Sequence, residues 1–261
     1  MLGLNKSFQR LKEYQFLFEE LVKRDFKTKY KRSVLGVGWS LLSPLFQLLV
    51  MKLVFTQFFG QSTPHYTIYI FCGNVIWSYF AEATTGGMRA LISNAGIFTK
   101  VNVPKYLFVL SKNVQTLLSF LLTLIILFVF VAFDTLSFSW RYIMLVYPII
   151  LLVFFNIGIG MILSALYIFF RDTEYLYDIF LRLLMYMSAI FYNIDNYSAH
   201  IQRLFLINPV YLFIKYFRVT IIDGNFLSPQ FHLLMLADTL IVFAIGCLMY
   251  KKFNTRFLYY V

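Results

Sequence analysis

The chain has 261 residues, of which 60% are hydrophobic and 13% are charged, and its formal net charge is +11 at pH 7. A soluble domain carries about a quarter charged residues, so this composition excludes a soluble enzyme and indicates a membrane protein. With only two cysteines the chain is not a disulfide-stapled secreted domain, and an excess of positive charge that is not spread over a soluble surface argues against nucleic-acid binding.

The first predicted element is an N-terminal amphipathic helix over residues 8–30, a segment without Pro or Gly. Its apolar residues recur at three- and four-residue spacing, and Lys23, Lys27 and Lys31 follow at four-residue steps. We expect this helix to lie along the membrane plane with its apolar stripe among the headgroups. Its basic side either sets topology and binds lipid, or docks a cytoplasmic partner or an anionic lipid-linked substrate.

Six later stretches are candidate membrane-spanning helices, each of which needs about 20 largely apolar residues. They are residues 35–59, 67–88, 114–133, 142–169, 175–192 and 231–250. The fifth is short and carries Asp178 and Arg182. Before the sixth, the apolar run 204–214 is broken at Asn208-Pro209 and is too short to cross a bilayer. The sequence therefore predicts an all-α polytopic membrane protein with six transmembrane helices, the interface helix, and a pair of short re-entrant outer helices before the last span.

The basic residues give this arrangement an orientation. Seventeen of the 23 Lys and Arg residues fall on one side of the predicted spans, and nine of these precede the first span. Basic residues are retained on the cytoplasmic side, so both termini are predicted to be cytoplasmic, as an even number of spans requires. We expect a cytoplasmic interface segment at residues 1–34 and one transmembrane domain at residues 35–261 of a cell-membrane protein.

Motifs for catalysis and metal binding are missing from the sequence. It contains no G-x-x-x-x-G-K-[ST] loop, so the chain is not expected to hydrolyse ATP by that route. The three histidines lack the spacing of a metal site, and we predict neither a catalytic residue nor a bound metal or cofactor. The acidic residues after the fourth span leave a membrane enzyme open as an alternative: Asp172, Glu174 and Asp178.

Polar and aromatic residues in the first two spans are candidates for a substrate path. Gly36, Ser40, Ser43 and Gln47 form one stripe, which either packs against another helix or lines a wet path. The rings near the predicted membrane boundaries belong either to an interfacial belt or to a channel that stacks on sugars. They are Trp39, Trp77, Tyr79 and Phe80.

Two charges fall within these spans. Lys52 can extend its stem outward to water. The shorter Glu82 should face protein or water, either as a pore residue or as a hydrogen-bonded structural carboxylate.

Four stretches of the sequence carry a family resemblance. Residues 24–44 read RDFKTKYKRSVLGVGWSLLSP, and residues 97–111 read IFTKVNVPKYLFVLS. Residues 165–192 read ALYIFFRDTEYLYDIFLRLLMYMSAIFY, and residues 206–218 read LINPVYLFIKYFR. In this order they resemble the membrane permeases of polysaccharide ABC exporters, which belong to the type-2 ABC transporter superfamily and move O-antigen, capsule, teichoic-acid or other cell-wall glycans. The first stretch is the most specific.

The resemblance implies a homodimeric permease that exports lipid-linked polysaccharide, with an undecaprenyl-pyrophosphate carrier, and two separate ATPase subunits that bind ATP and Mg²⁺. A drug or small-lipid exporter is the alternative of the same class. Residues implied to couple to the ATPases are Arg24, Lys27, Lys31, Asn94, Lys100, Val103, Pro104 and Lys105, and Asn94 is expected to cap a short helix. The implied outer gate lies in residues 193–230 and includes Asn208, Pro209 and Tyr211, while Phe191 and Tyr192 join the channel candidates.

Overall fold

The computed structural model describes residues 13–29, 35–59, 64–134, 136, 138–195 and 197–260. These residues form α-helices and short 3-10 helices, with no β-strand among them, which confirms the predicted all-α class. The helices are α1 Gln15–Lys29, α2 Trp39–Phe59, α3 Tyr66–Ser93, α4 Ala95–Phe98, α5 Tyr106–Phe133, α6 Val146–Phe169, α7 Thr173–Met187, α8 Ala199–Phe205, α9 Pro209–Ile221 and α10 Pro229–Phe253.

Within the described ranges, three helical stretches are long and apolar enough to cross a membrane. They are Tyr106–Phe133, Trp140–Phe169 and Pro229–Phe253, and they coincide with the predicted third, fourth and sixth spans. The pair α8 and α9, bent by 107° at the predicted break, counts as a fourth if it is taken as one span. The chain is therefore a multi-pass membrane protein.

The remaining predicted spans differ from their expected bounds. A 3-10 turn at Gly36–Gly38, where Gly36 has φ +51°, delays the first helix to Trp39. The second, α3, is a 28-residue helix that is buried along most of its length. The fifth, α7, ends at Met187 rather than at Tyr192, so its 15 residues span only about 22 Å.

Helix α3 is the centre of the bundle and packs along α5 and α6, while α10 packs along the other side of α6. Glycines allow these close approaches. A Cβ added at Gly158 would lie 2.9 Å from the Cα of Phe243, and one added at Gly87 would lie 2.9 Å from the Cα of Gly160. The α3–α6–α10 contacts therefore rest on backbone-to-backbone packing.

Helix α1 packs on the protein itself. Leu21 is only 2% exposed and lies in a cluster with residues of α3, α4 and α5, with Leu17 and Phe18 beside it. The expectation that this apolar stripe faces the headgroups is thus wrong for Leu21, because the helix ends of the bundle already offer it an apolar surface. Residues 8–12 and 30 of the predicted helix lie outside the described residues.

The bundle has two chemically different ends. At one, the Tyr14 hydroxyl donates to the carbonyl of Asn102 at 3.0 Å and Lys105 bonds to Asn254. We call it the basic end, since it carries α1, α4 and the last residues of α10. At the other, which we call the opposite end, the Tyr66 hydroxyl donates to the carbonyl of Phe191 at 2.6 Å. The end of α7 meets the start of α3 there.

Candidate functional site

A polar cavity of about 350 Å³ lies between α2, α3 and α5. Five of the predicted channel residues line it: Trp39, Ser43, Gln47, Tyr79 and Glu82. The amide of Gln47 donates to the side-chain oxygen of Asn74 across the α2–α3 contact at 3.4 Å. The predicted stripe on the first span is therefore not only a packing surface, since its polar groups face an internal space.

A second cavity, of about 580 Å³, lies beside the first one toward α1. Glu82 and Thr116 line both, so the two cavities are adjacent, and we call the pair the polar groove. It runs between α3 and α5 from Asn74 to Asp25 and Thr28 on α1. The groove thus joins the membrane-embedded part of the bundle to its basic end.

Several groove residues were missed in the sequence. On α3, Asn74 and Ser78 precede Glu82 at four-residue steps, and on α5, Thr116, Ser119 and Thr123 recur at three and four residues. A polar stripe in each helix was therefore visible as a helical period, and only the stripe on the first span was recognised.

Many side chains that line the groove carry neutral hydrogen-bonding groups. Thr116 donates its hydroxyl to the carbonyl of Asn113 at 2.9 Å, and Thr123 donates to the carbonyl of Ser119 at 3.0 Å. Hydroxyls bonded in this way keep oxygen lone pairs that can accept hydrogen bonds from a ligand. Trp39 adds an exposed aromatic ring to this wall, whereas Tyr79 and Phe120 are buried and stack on each other with ring centroids 4.5 Å apart. The groove therefore suits a polyhydroxylated ligand that also has an apolar face.

Basic residues at the mouth of the groove are paired with acids. Lys112 lies 3.0 Å from Asp25, and Arg89 pairs with Glu174. Glu174 also accepts a hydrogen bond from the hydroxyl of Tyr167. The mouth is therefore close to charge balance, and Glu174 is engaged in a structural ion pair.

Two other predicted channel rings do not line the groove. Trp77 and Phe80 are buried in the main apolar core. The side chain of Ser40 lies outside the described residues. Phe191 and Tyr192 are at the opposite end of the bundle, where their carbonyls accept hydrogen bonds from Tyr66 and Tyr69.

The predicted coupling residues divide into exposed and buried groups. Lys27 and Lys100 are exposed, Arg24 is half-exposed, and Pro104 is partly buried. Asn94 and Val103 are buried, at 2% and 5% exposure. Lys31 lies outside the described residues.

Asn94 does not cap α4 with its side chain, so that expectation is wrong. Its amide nitrogen donates instead to the carbonyl of Ala90 at 2.8 Å, and its side-chain oxygen accepts from Arg24 at 2.7 Å. Asn94 therefore ties α1 to the end of α3.

Lys105 is a buried cation, 7% exposed. Its ammonium donates to the backbone carbonyl and the side-chain oxygen of Asn254 and lies about 6 Å from the ring centroids of Phe98 and Phe257. Burial lowers the pKa of Lys105. Lys105 links the loop before α5 to the end of α10. Because it is buried there, the exposed residues beside it are the ones that can contact an ATPase.

The predicted gate residues lie at the bend between α8 and α9. Asn208 caps α9 by accepting from the amide of Val210 at 3.0 Å, and its own amide donates to the carbonyl of Met187 at 3.1 Å. Pro209 is the first residue of α9, and Tyr211 is buried against Phe205. The bend is therefore bonded to the end of α7.

The comparison with known families decides the class of the protein. The model of the family described as "ABC-2 type transporter" matches residues 17–222. The chain belongs to the ABC-2 type transporter family. As a member of that family it is the membrane part of an ABC transporter, which confirms the family suggested by the four sequence stretches.

Curated relatives match between 77% and 93% of this chain. An O-antigen export system permease protein RfbA of Klebsiella pneumoniae is 30% identical over 93% of this chain and 95% of its own length. A Myxococcus xanthus protein of the same name is 26% identical over 77% of the chain and 78% of its own length. The polysialic acid transport protein KpsM of Escherichia coli is 22% identical over 89% of the chain and 92% of its own length. These relatives confirm the prediction of a transport protein rather than an enzyme.

Proposed function

We propose that this chain is the permease of an ABC exporter that moves a lipid-linked polysaccharide, of the O-antigen or capsule type, across the cytoplasmic membrane. The observation that carries the proposal is the 30% identity to an O-antigen export permease over 93% of the chain. An undecaprenyl-pyrophosphate carrier is the substrate form that the sequence resemblance implies.

The polar groove supports a glycan as the cargo. Sugars present hydroxyls at their edges and C–H surface on their faces, so a site for them combines hydrogen-bonding groups with aromatic rings. Gln47, Ser78 and Ser119 supply the polar groups, and Trp39 supplies an exposed ring. A purely lipidic or drug-like cargo would not need so many side-chain hydroxyl groups in its binding site.

The energy for transport comes, in this proposal, from ATP and Mg²⁺ bound to a separate ATPase subunit. The sequence of this chain contains no G-x-x-x-x-G-K-[ST] loop. Exposed Lys27 and Lys100, with Arg24 between α1 and the end of α3, present positive charge at the basic end. We expect the ATPases to dock there and to move α1, α3 and α5 together.

We further propose six membrane spans with both termini cytoplasmic. In addition to the three strongly apolar stretches, α2 and α3 are the first and second spans. Helix α7 is a short fifth span, and the non-helical residues after Met187 supply the length that it lacks. The bent pair α8 and α9 then enters the outer side as a re-entrant hairpin. Non-helical backbone at that depth is tolerated because it is covered by protein.

A homodimer is the assembly that best explains α7. This helix exposes the charged side chain of Arg182 among large apolar residues such as Ile179 and Leu183. A lipid-facing charge at the bilayer centre costs roughly 2.5–3.5 kcal/mol. Facing a second copy of the chain, or water between two copies, removes that cost.

Cross-linking tests the dimer in the membrane. In a background with Cys72 and Cys247 replaced by Ser, we expect Leu183→Cys on α7 to form a disulfide-linked dimer on oxidation. Leu248→Cys, equally exposed on the lipid side of α10, is the matched control and should stay monomeric. Cross-linking through Leu248 alone would move the dimer interface to α10.

The proposed function is tested by purification with and without the neighbouring ATPase subunit. We expect the chain alone to hydrolyse no ATP and the co-purified complex to hydrolyse it and to load lipid-linked polysaccharide into vesicles. Robust hydrolysis by the chain alone, or transport of a small lipid without any glycan, would overturn the proposal.

A further inference from the structure

A buried arginine joins the break after α7 to the core of the bundle. Arg218 on α9 is 6% exposed and is far from the charged basic end. Its Nη1 donates to the carbonyl of Ala189 at 2.9 Å, its Nη2 to that of Ile190 at 2.8 Å, and its Nε to that of Tyr69 on α3 at 3.2 Å. The guanidinium also lies 3.4 Å from the ring centroid of Tyr69.

The carbonyls at this break need donors because α7 ends inside the proposed membrane depth. Helix C-termini leave their last carbonyls without intrahelical partners, and lipid offers none. Around Arg218, Asn208 donates to the carbonyl of Met187, and the hydroxyls of Tyr66 and Tyr69 donate to those of Phe191 and Tyr192. A positive charge at a helix C-terminus is also favourable for the helix dipole.

The backbone at Ala189 and the space beside Gly73 show that the chain after α7 is held in one conformation by its surroundings. Ala189 has φ +49°, a left-handed conformation that L-residues adopt only where surrounding contacts hold them. Gly73 on α3 leaves just enough room, since an added Cβ would lie 3.0 Å from Nη2 of Arg218 and 3.1 Å from Cγ2 of Ile190. The break, α9 and the start of α3 therefore interlock at one side chain.

We propose that Arg218 is a positioning residue for the outer gate, binding the break after α7 and helix α9 to α3 so that the three move as one unit. A guanidinium spreads its donors over three nitrogens in a fixed planar fork, so Nε, Nη1 and Nη2 each reach a different carbonyl, whereas the three N–H donors of a lysine ammonium all sit on one nitrogen and cannot keep this spacing. Opening between the break and α3 would leave these carbonyls without donors. When α3 moves at the basic end, the break after α7 and helix α9 therefore move with it, because Arg218 holds them to α3. The role of this region as an outer gate rests on the proposed function, whereas the contacts that interlock at Arg218 do not.

Cys72 provides a native reporter of this interlock. It is fully buried and is adjacent to Gly73, while the only other cysteine, Cys247, lies exposed on α10. In a Cys247→Ser background of the full chain in nanodiscs, we expect a small maleimide to leave Cys72 unlabelled. Arg218→Met should raise the labelling rate by about tenfold or more through local opening, and Arg218→Lys should raise it less.

A matched control and a second variant keep the test decisive. Lys215→Met removes a cation from the same helix; Lys215 has no hydrogen-bond or ion-pair partner within the described part of the chain, and labelling should stay at the wild-type level. If Arg218→Met does not accumulate as a folded protein, Gly73→Ala, which presses on both Arg218 and Ile190, is expected to expose Cys72 as well. A folded Arg218→Met or Gly73→Ala protein in which Cys72 remains unreactive would overturn the proposal.

Measuring export and ATP hydrolysis by the complete complex distinguishes a positioning role of Arg218 from a general loss of stability. With Arg218→Met we expect ATP hydrolysis per complex to persist while polysaccharide exported per ATP falls by about tenfold. Equal losses of both activities would contradict a positioning role. If no polysaccharide is transported by the wild type, the proposed function fails while the Cys72 result still decides the interlock.

Discussion

Lys112 near the start of α5 lies 3.0 Å from the carboxylate of Asp25 on α1, and this ion pair lines the mouth of the polar groove at the basic end. Arg24 donates to the same carboxylate at 2.8 Å and to Asn94 at 2.7 Å. Asp25 is 7% exposed; it binds α5 directly through Lys112 and is linked to the end of α3 through Arg24 and Asn94. The helix that we expect to meet the ATPase is thus rigidly connected to the two helices that form the groove.

Replacing Asp25 tests this connection. Asp25→Asn should lower the free energy of unfolding by about 1.5–3 kcal/mol, because hydrogen bonds to charged groups are lost and two cations remain. Glu20→Gln, which breaks the exposed Glu20–Lys23 pair of the same helix, should change it by less than about 0.5 kcal/mol. Thermal unfolding in detergent measures both, and equal effects would argue that Asp25 has no special role.

The groove is tested by filling it where its two cavities meet. Thr116→Leu adds volume at a residue shared by both, so we expect export to fall by about tenfold while the melting temperature stays close to that of the wild type. Leu121→Phe, a similar enlargement on an exposed face of the same helix, should leave export unchanged. Normal export by a folded Thr116→Leu protein would remove the groove from the substrate path.

Glycine packing makes a prediction about stability alone. Gly158→Ala places a Cβ 2.9 Å from the backbone of Phe243 and should destabilise the protein by about 1–3 kcal/mol through overpacking. Gly96→Ala is the control, because a Cβ there meets no atom of the described residues within 4 Å. It should be neutral or slightly stabilising, since alanine limits the unfolded chain. A reversed order of melting temperatures would contradict the packing of α6 on α10.

Long apolar runs were predictable from the sequence because hydropathy and helix length determine them. The predicted spans at 114–133, 142–169 and 231–250 all lie in helices of the structure, and the break at Asn208-Pro209 separates α8 from α9. Hydropathy failed at the end of α7, where the apolar run continues to Tyr192 but the helix ends at Met187. Side chains distant in the sequence, above all Arg218, take over the carbonyls there.

Only part of the candidate site could be predicted, because its residues lie on helices that are distant in the sequence. The stripe of Ser43 and Gln47 was recognised as a helical period, but its partners Asn74 and Thr116 lie on other helices, and a single sequence does not show which stripes face each other. Lys105 was expected to meet an ATPase because the family resemblance implies that its segment does. Its pairing with Asn254 depends on the end of α10, far along the chain.

Deleting the gene for this chain in its own host tests the export of polysaccharide most directly. We expect surface polysaccharide to disappear and lipid-linked glycan to accumulate inside the cell, with both reversed by the wild-type chain but not by Thr116→Leu. Surface polysaccharide at the normal level in the deletion strain, with no glycan retained inside, would contradict the account.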